Sequence, residues 1–346
     1  MKDFQKYIIP ENATIKKALI QLNEQSGNVI TLFVVDETGK MLGTLTDGDT
    51  RRALITGLNL NTPVSEAMNT NFHFFTKENL DVSKFALFRE KNFQLIPCLD
   101  NQGHIIEVYD LKRRKTFLPI DAVLMAGGKG ERLRPLTERT PKPLLPVGNK
   151  TIIDYNIENL IQHGVEHISV TVNYLKEQIE EHFAQPHDDI QIQCVREPQY
   201  LGTIGSVRFI EAFFHDTILV MNSDLFTNID FEDFYLHFIE NKADMSVAAV
   251  PYPVSVPYGI FHLEGNNITG LTEKPTYNYY ANAGIYLIKK ELLGLIPEET
   301  FFNAPDLMEL LIEQKKKVIR FPITGFWIDI GKKEDYTKAQ EIAKHM

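Results

Sequence analysis

From residue 120 onward, short continuous apolar runs alternate with stretches whose apolar side chains recur every three or four positions. The runs lie at residues 120–125, 167–172, 190–195, 217–221, 245–250, 283–288 and 318–321. Being continuous rather than alternating, they read as strands buried on both faces. Helical spacing occupies 152–162, 175–183, 206–213, 231–241 and 306–315. This alternation predicts an α/β fold, a mostly parallel sheet with helices on both faces. In such sheets ligands sit beyond the carboxyl ends of the strands.

The first hundred residues carry a different, repeated pattern. Thr14 precedes apolar positions Ile15, Ala18, Leu19 and Leu22; Asp81 precedes Val82, Phe85, Ala86 and Phe88. Each reads as the N-cap of a helix. Each helix leads to a strand ending in aspartate (31–36 or 95–100), a turn with Gly39 or Gly103, and another strand (41–45 or 105–109). The copies are offset by 67 residues at the helices and 64 at the strands, a repeat containing an indel. Leu118-Pro119 closes this region, dividing the chain into domains 1–117 and 118–346.

Composition narrows the function. The chain has 346 residues, enough for two sizeable cores. A net charge of −10 argues against a nucleic-acid or anionic-membrane binder, either of which needs a dominant basic face. There is no run of 18 apolar residues, and the N-terminus lacks the apolar core of a signal peptide. Cys98 and Cys194 each sit in an apolar segment and read as buried, reduced thiols of a cytoplasmic protein.

Residues 122–148 hold the densest candidate chemistry. The apolar run through Met125 stops at Ala126-Gly127-Gly128, and Lys129, Gly130, Arg132 and Arg134 follow. A buried strand feeding a glycine turn delivers bare backbone N–H groups to a phosphate. Lys142 then stands between Pro141 and Pro143. The spacing is neither G-x-G-x-x-G nor G-x-x-x-x-G-K-[ST], so a dinucleotide-dependent dehydrogenase and a P-loop are both excluded.

Gly127, Gly128, Gly130, Arg132, Leu133, Pro135, Leu136, Thr137, Pro141, Lys142 and Pro146 together resemble the signature of the sugar-1-phosphate nucleotidyltransferases. The resemblance runs from residue 120 to about 337 and implies a Rossmann-like nucleotidyltransferase domain. Further along, Asp224 ends Leu219-Val220-Met221-Asn222-Ser223-Asp224, similar to the family's N-G-D with serine for glycine, and Asp329 lies in Trp327-Ile328-Asp329-Ile330-Gly331, similar to W-x-D-I-G. With the glycine loop, the resemblance makes these aspartates an Mg²⁺ pair, since Mg²⁺ favours one or two carboxylates plus substrate phosphates. Pro257-Tyr258-Gly259, Glu273-Lys274-Pro275 and Asn282-Ala283-Gly284 resemble the sugar-side motifs. They imply sugar contacts from Gly259, Glu273, Asn282 and Gly284, and sugar-phosphate neutralisation by Lys274. Arg132, Lys142 and Lys274 are thus the expected catalytic cations; Ala126, Gly127, Gly128, Gly130, Glu197 and Gly202 are the expected nucleotide contacts.

Glu197 bears on the base. Relatives that transfer uridylyl or thymidylyl groups usually carry glutamine there, one donor and one acceptor for uracil or thymine. A carboxylate offers two acceptors, which suit the adjacent N1–H and N2–H₂ of guanine. With Leu201-Gly202-Thr203, this makes the chain most similar to mannose-1-phosphate guanylyltransferase-like members. GTP and a hexose-1-phosphate are the expected substrates, with dTTP, UTP or CTP as alternative nucleotides. Only a helix at 333–345 follows the domain, so no hexapeptide-repeat acyltransferase activity is expected.

Residues 1–116 resemble a tandem CBS-domain (Bateman) module, on the corner Gly43-Thr44-Leu45-Thr46-Asp47-Gly48-Asp49. The resemblance implies an α+β CBS pair whose Thr46 and Asp49 contact the ribose of a regulatory adenosine-type nucleotide. In the second copy Asp110 and Arg113 fall at those places, so one nucleotide site is expected at best. CBS pairs in other enzymes often hold subunits together, and a homo-oligomer is expected. The rival is a non-catalytic regulatory subunit or nucleotide sensor.

Overall fold

Strand β1 (Ile120–Ala126) lies in the interior of a seven-stranded sheet whose other members are β2 (His167–Val172), β3 (Gln193–Arg196), β4 (Thr217–Asn222), β5 (Met245–Ser255), β6 (Thr276–Lys289) and β7 (Val318–Pro322). Their order is β3-β2-β1-β4-β6-β5-β7. Only β6 runs against the other six. The sheet is therefore mostly parallel, as the uninterrupted apolar runs predict. Every residue of β1 except Met125 is buried. Helices α1 (Ile152–Gln162), α2 (Lys176–His182), α3 (Phe231–Glu240), α4 (Ala304–Glu313) and α5 (Lys333–Ala343) accompany it.

The computed structural model describes residues 4–24, 31–77 and 79–345. Contacts divide the chain into two units, Met1–Phe117 and Leu118–Met346. Among the described residues no helix is long and apolar enough to cross a membrane.

Two expected elements shift. The helix at 206–213 is only a 3-10 turn, Gly205–Phe209. Ile210 is already extended (φ −77°, ψ 118°), and beyond it the buried carboxylate of Asp121 accepts the backbone N–H groups of Phe214 (2.6 Å) and His215 (3.3 Å), tying the segment to the start of β1. The strand at 190–195 begins only at Gln193, because Ile190 closes a small bridge with His187. Cys194 is half-buried, and burial pushes its thiol up to about 11.

In the N-terminal unit, Ile8–Pro10 pairs in parallel with Thr31–Val35, which pairs antiparallel with Met41–Thr46. Phe75–Thr76, Leu95–Leu99 and Ile105–Asp110 repeat this arrangement. The equivalent turn glycines, Gly39 and Gly103, take φ of +87° and +88°. Phe33, Val35, Leu95, Leu99 and Val108 form a shared core between the two sheets. Thr14 caps its helix, its hydroxyl accepting from Lys17 N at 3.2 Å. Asp81 accepts from Ser83 N at 3.1 Å, ahead of the helix Ser83–Glu90; Glu78, four residues upstream of Val82, lies outside the described residues. After Asp110 no helix follows, whereas Thr46 opens Asp47–Ile55.

Candidate active site

The glycine loop leaves β1 toward β2 on one side, while β4 lies on the other, so the order reverses between β1 and β4. A crevice at that reversal is where α/β sheets bind ligands. Here it is a cleft of about 640 Å³. Ala126 at the end of β1 and Gly127, Gly128, Gly130 and Arg132 from the loop that follows line it, and Asp224 lines it from just past β4. Lys142, Glu197, Gly202 and Asp329 complete the residues anticipated for it.

Why these segments meet is a matter of alternation. Leu133, Leu145, Val147, Phe226, Ile328 and Ile330 pack into one apolar cluster with Ile152 of α1. All of the six but Val147 lie within three positions of a cleft residue, so burying the apolar member fixes its polar neighbour. Leu225–Thr227 pairs antiparallel with Trp327–Asp329, placing Leu225 opposite Asp329. Ile330 N donates to the carbonyl of Asp224 at 3.3 Å. Two aspartates 105 positions apart are thereby joined across one short ladder.

Lys142, only 7% exposed, binds Asp224 Oδ2 and stands 3.8 Å from Asp329 Oδ1. The 3-10 turn that begins at Lys142, after extended Pro141, aims it there. Gly130 must be glycine: its φ is +61°, and a Cβ would meet Thr137 Cγ2 at 3.0 Å and Lys142 Cβ at 3.1 Å. Burial, then the neighbouring charge of Asp224, raises the Asp329 carboxyl above its usual range, against the opposing pull of Lys142 and Arg132. The guanidinium of Arg132 lies over Gly331, two residues past Asp329. Asp224 Oδ1 is buried with no hydrogen-bond partner among the described residues. An acceptor-only oxygen left bare beside a second carboxylate fits a divalent cation. Ser223, where the resembled motif has glycine, is accommodated because its hydroxyl donates to Met125 O at 2.7 Å.

Glu197 is 3% exposed and lies directly behind the glycine loop. A Cβ on Gly127 would come within 2.4 Å of Glu197 Oε1. Burial raises the Glu197 carboxyl above the usual range, while hydrogen bonding from Leu201 N (3.3 Å) pulls it back.

The nucleotidyl transferase family model matches residues 121–345, and the CBS domain model matches residues 3–56. The chain belongs to the nucleotidyl transferase family. It is 32% identical over 231 residues to the bifunctional protein GlmU of Methanocaldococcus jannaschii, covering 64% of this chain and 54% of that protein. It is 29% identical over 231 residues to D-glycero-alpha-D-manno-heptose 1-phosphate guanylyltransferase of Aneurinibacillus thermoaerophilus, covering 65% and 99%. Among solved structures, HddC from Yersinia pseudotuberculosis is similar at 25% identity and a TM-score of 0.50, covering 64% of this chain and 98% of that one. The chain spans 53% to 62% of the length of several curated relatives it matches.

Within this transferase unit the sugar-side residues divide. Gly284 abuts Asn222, where a Cβ would lie 2.5 Å from the amide nitrogen, and Asn222 lines the cleft. Asn282 Oδ1 accepts from Gly284 N at 2.9 Å, and Trp327 Nε1 donates to Ala283 O at 2.9 Å. Because β6 is antiparallel, its early residues reach the same sheet end as Asp224. Neither Asn282 nor Gly284 is itself among the cleft-lining residues, and Gly259, Glu273 and Lys274 are not either. The last three lie on an exposed ribbon in which the outer halves of β5 and β6 lead to a hairpin, Ile260–Glu264 with Asn267–Thr272. Gly259 and Glu273 do face each other, a Cβ on the former lying 2.9 Å from Glu273 Oε2. Lys274 takes φ of +44° immediately before Pro275, a strained conformation for a β-carbon residue there. Asn173 also lines the cleft and was not anticipated; it is the first residue after β2, so the strand-end rule alone could have found it.

In the N-terminal unit, Thr46 and Asp49 already serve each other. Asp49 Oδ2 accepts from Thr46 N (2.8 Å) and Thr46 Oγ1 (2.6 Å), while Asp49 N donates to Thr46 Oγ1 (3.2 Å). This is a reciprocal capping box. Asp49 Oδ1 holds Arg52.

Proposed function

We propose that the protein transfers a nucleotidyl group from a nucleoside triphosphate to a sugar-1-phosphate, releasing pyrophosphate and forming a nucleoside-diphosphate sugar. The observation that carries this is Lys142 set between Asp224 and Asp329 in a glycine-walled cleft. A phosphate oxygen of the sugar-1-phosphate attacks the α-phosphorus in line, forming the new P–O bond as the bond to pyrophosphate breaks. That oxygen is already ionised near neutral pH, its second pKa being about 6, so no general base is required. The histidine-free lining of the cleft agrees with this. Catalysis then consists of positioning and charge neutralisation. Gly127, Gly128 and Gly130 offer backbone to the triphosphate, with Ala126 and Gly202 at the nucleotide's flanks. Arg132 holds the leaving pyrophosphate and Lys142 the α-phosphate. Asp224 and Asp329 are the residues that would hold Mg²⁺, which when bound supplies positive charge to the phosphates.

Gly259, Glu273 and Lys274 belong to the sugar side of this reading, together with Asn282 and Gly284. Their ribbon must then fold over the cleft when sugar-1-phosphate binds, with Lys274 meeting the sugar phosphate. GTP is the proposed nucleotide because buried Glu197 presents acceptors only, and the heptose-1-phosphate relative is named a guanylyltransferase. Thr46 and Asp49 are assigned to an adenosine-type nucleotide, whose ribose hydroxyls would replace Arg52 on Asp49. The exposed Tyr252, Tyr258, Phe261, Leu263 and Leu271 of the ribbon support self-association of the chain. A non-catalytic subunit is disfavoured because Arg132, Lys142, Lys274, Asp224 and Asp329 are all present.

The experiment is a pyrophosphate-release screen of ATP, GTP, CTP, UTP and dTTP against a panel of hexose-1-phosphates. Absence of release in every combination refutes the transferase reading. Release with UTP or dTTP but not GTP refutes the base assignment alone.

A further inference from the structure

Away from the cleft, Asp154, His182 and His187 bring one ligand atom each to within 4.8 Å of one another. Among the described residues this is the one such group of three or more His, Cys, Asp or Glu side chains, and none of its members lines the cleft. The three come from separate elements: the first turn of α1, the last residue of α2, and a small bridge between His187 and Ile190.

Asp154 Oδ1 lies 2.7 Å from His182 Nε2 and 3.6 Å from His187 Nε2. An Asp–His hydrogen bond accounts for the first distance but leaves the second imidazole unexplained. His187 Nε2 is beyond hydrogen-bond reach of the carboxylate, and its Nδ1 is buried with no partner among the described residues. Metal–ligand bonds of 2.0–2.2 Å imply ligand separations of about 3.3–3.6 Å in a tetrahedral site. The observed separations from the carboxylate bracket that spacing. Thr151 N donates to Asp154 Oδ2 at 3.2 Å and so orients the carboxylate, as groups behind a metal ligand do. Buried Phe183 packs against both imidazoles, with ring centroids at 4.8 and 5.2 Å. All three donors are half-buried, which leaves room for water as a further ligand.

We propose that Asp154, His182 and His187 bind a first-row transition-metal ion of the zinc class. Two imidazoles and one carboxylate suit Zn²⁺ and not Mg²⁺, so this site is chemically distinct from the carboxylate pair of the cleft. Its place gives it a task. Tyr174, just before α2, donates its hydroxyl to Thr137 O at 3.1 Å, and Gln178 of α2 donates to Arg139 O at 2.9 Å. The ion would pin α2 to α1 and brace the loop that ends at Lys142.

The test uses the full chain stripped of metal and titrated with Zn²⁺ by calorimetry in excess Mg²⁺, with Co²⁺ absorption as a report on ligand geometry. One equivalent of Zn²⁺ is expected, surviving Asp224→Asn and weakened at least about tenfold in both His182→Ala and His187→Ala. Zinc should also raise the melting midpoint of the wild type and not of His187→Ala. The zinc-free midpoint of that variant, matched to wild type, shows that it folds. Failure of the wild type to take up Zn²⁺, or unchanged affinity in both histidine variants, overturns the site.

Discussion

Replacing Lys142 with methionine keeps most of its buried stem and removes the ammonium that separates two carboxylates. Removing one partner of a buried ion pair costs about 3–5 kcal/mol, because the other charge is left uncompensated. Lys142 is buried, but the Asp329 side chain is 44% exposed, and solvent screens its share. A loss of about 2–3 kcal/mol in metal-free buffer follows. In a unit this size each kcal/mol moves the midpoint by about 2–4 °C, so melting should fall by about 4–12 °C in chelator. Mg²⁺ held by the two aspartates should recover part of that fall, since it binds only the folded state. Turnover is a separate quantity. Losing one preorganised charge at the reacting phosphates costs about 3–4 kcal/mol of barrier, about a hundred- to a thousandfold in pyrophosphate release. The Lys142→Met/Asp224→Asn double variant should melt higher than the sum of the single losses allows, with a coupling of about 1–3 kcal/mol. Near wild-type turnover in Lys142→Met would refute the catalytic role. Strict additivity in the double variant would refute the ion pair.

Glu197→Gln should shift the ratio of kcat/KM for GTP against UTP or dTTP by about 5- to 150-fold toward the pyrimidines, the worth of one bidentate pair. In the wild type, KM for GTP should rise as pH falls toward the raised pKa of Glu197, where protonation removes an acceptor; a flat acid limb argues against contact with guanine. Asp329 also has its folded pKa raised, so the native state holds that proton more tightly than the unfolded chain. Metal-free stability should therefore fall as pH rises from the ordinary carboxylate range through that raised value, and Asp329→Asn should flatten this slope, melt higher at neutral pH and lose activity. Thr46→Ala removes the capping box and should cost the N-terminal unit about 1 kcal/mol in denaturant titrations. Calorimetry with ATP or AMP on Asp49→Ala should show binding lost, and retained affinity would remove Asp49 from the ribose site.

Local pattern carried much of this protein. The uninterrupted apolar runs marked four of the seven main-sheet strands closely and only the buried halves of β5 and β6, because the outer halves of those two are exposed and carry no continuous apolar run. Gly39 and Gly103, with the strands around them, exposed the internal repeat. Arg132, Lys142, Asp224 and Asp329 stood out because each sits beside residues whose backbone demands are legible: glycine turns, flanking prolines, strand ends. The lost helix at 206–213 shows the limit, since the chain turns extended at Ile210 and is then tied down by Asp121, more than ninety positions away, which accepts from Phe214 and His215.

Tertiary structure alone decided the rest. Nothing local announces that Leu225 pairs with Asp329, yet that ladder makes two distant aspartates neighbours and puts Lys142 between them. The antiparallel sense of β6 depends on how a long ribbon returns to the sheet, and it sets Gly284 against the cleft-lining Asn222 while Gly259, Glu273 and Lys274 lie out along the ribbon. Asp154, His182 and His187 belong to no motif and meet only because the start of α1, the end of α2 and the bridge at His187 converge. Residue types and spacing determine which groups can do phosphate chemistry. Which of them meet is determined by pairings between strands and helices far apart in the chain, which local sequence does not encode.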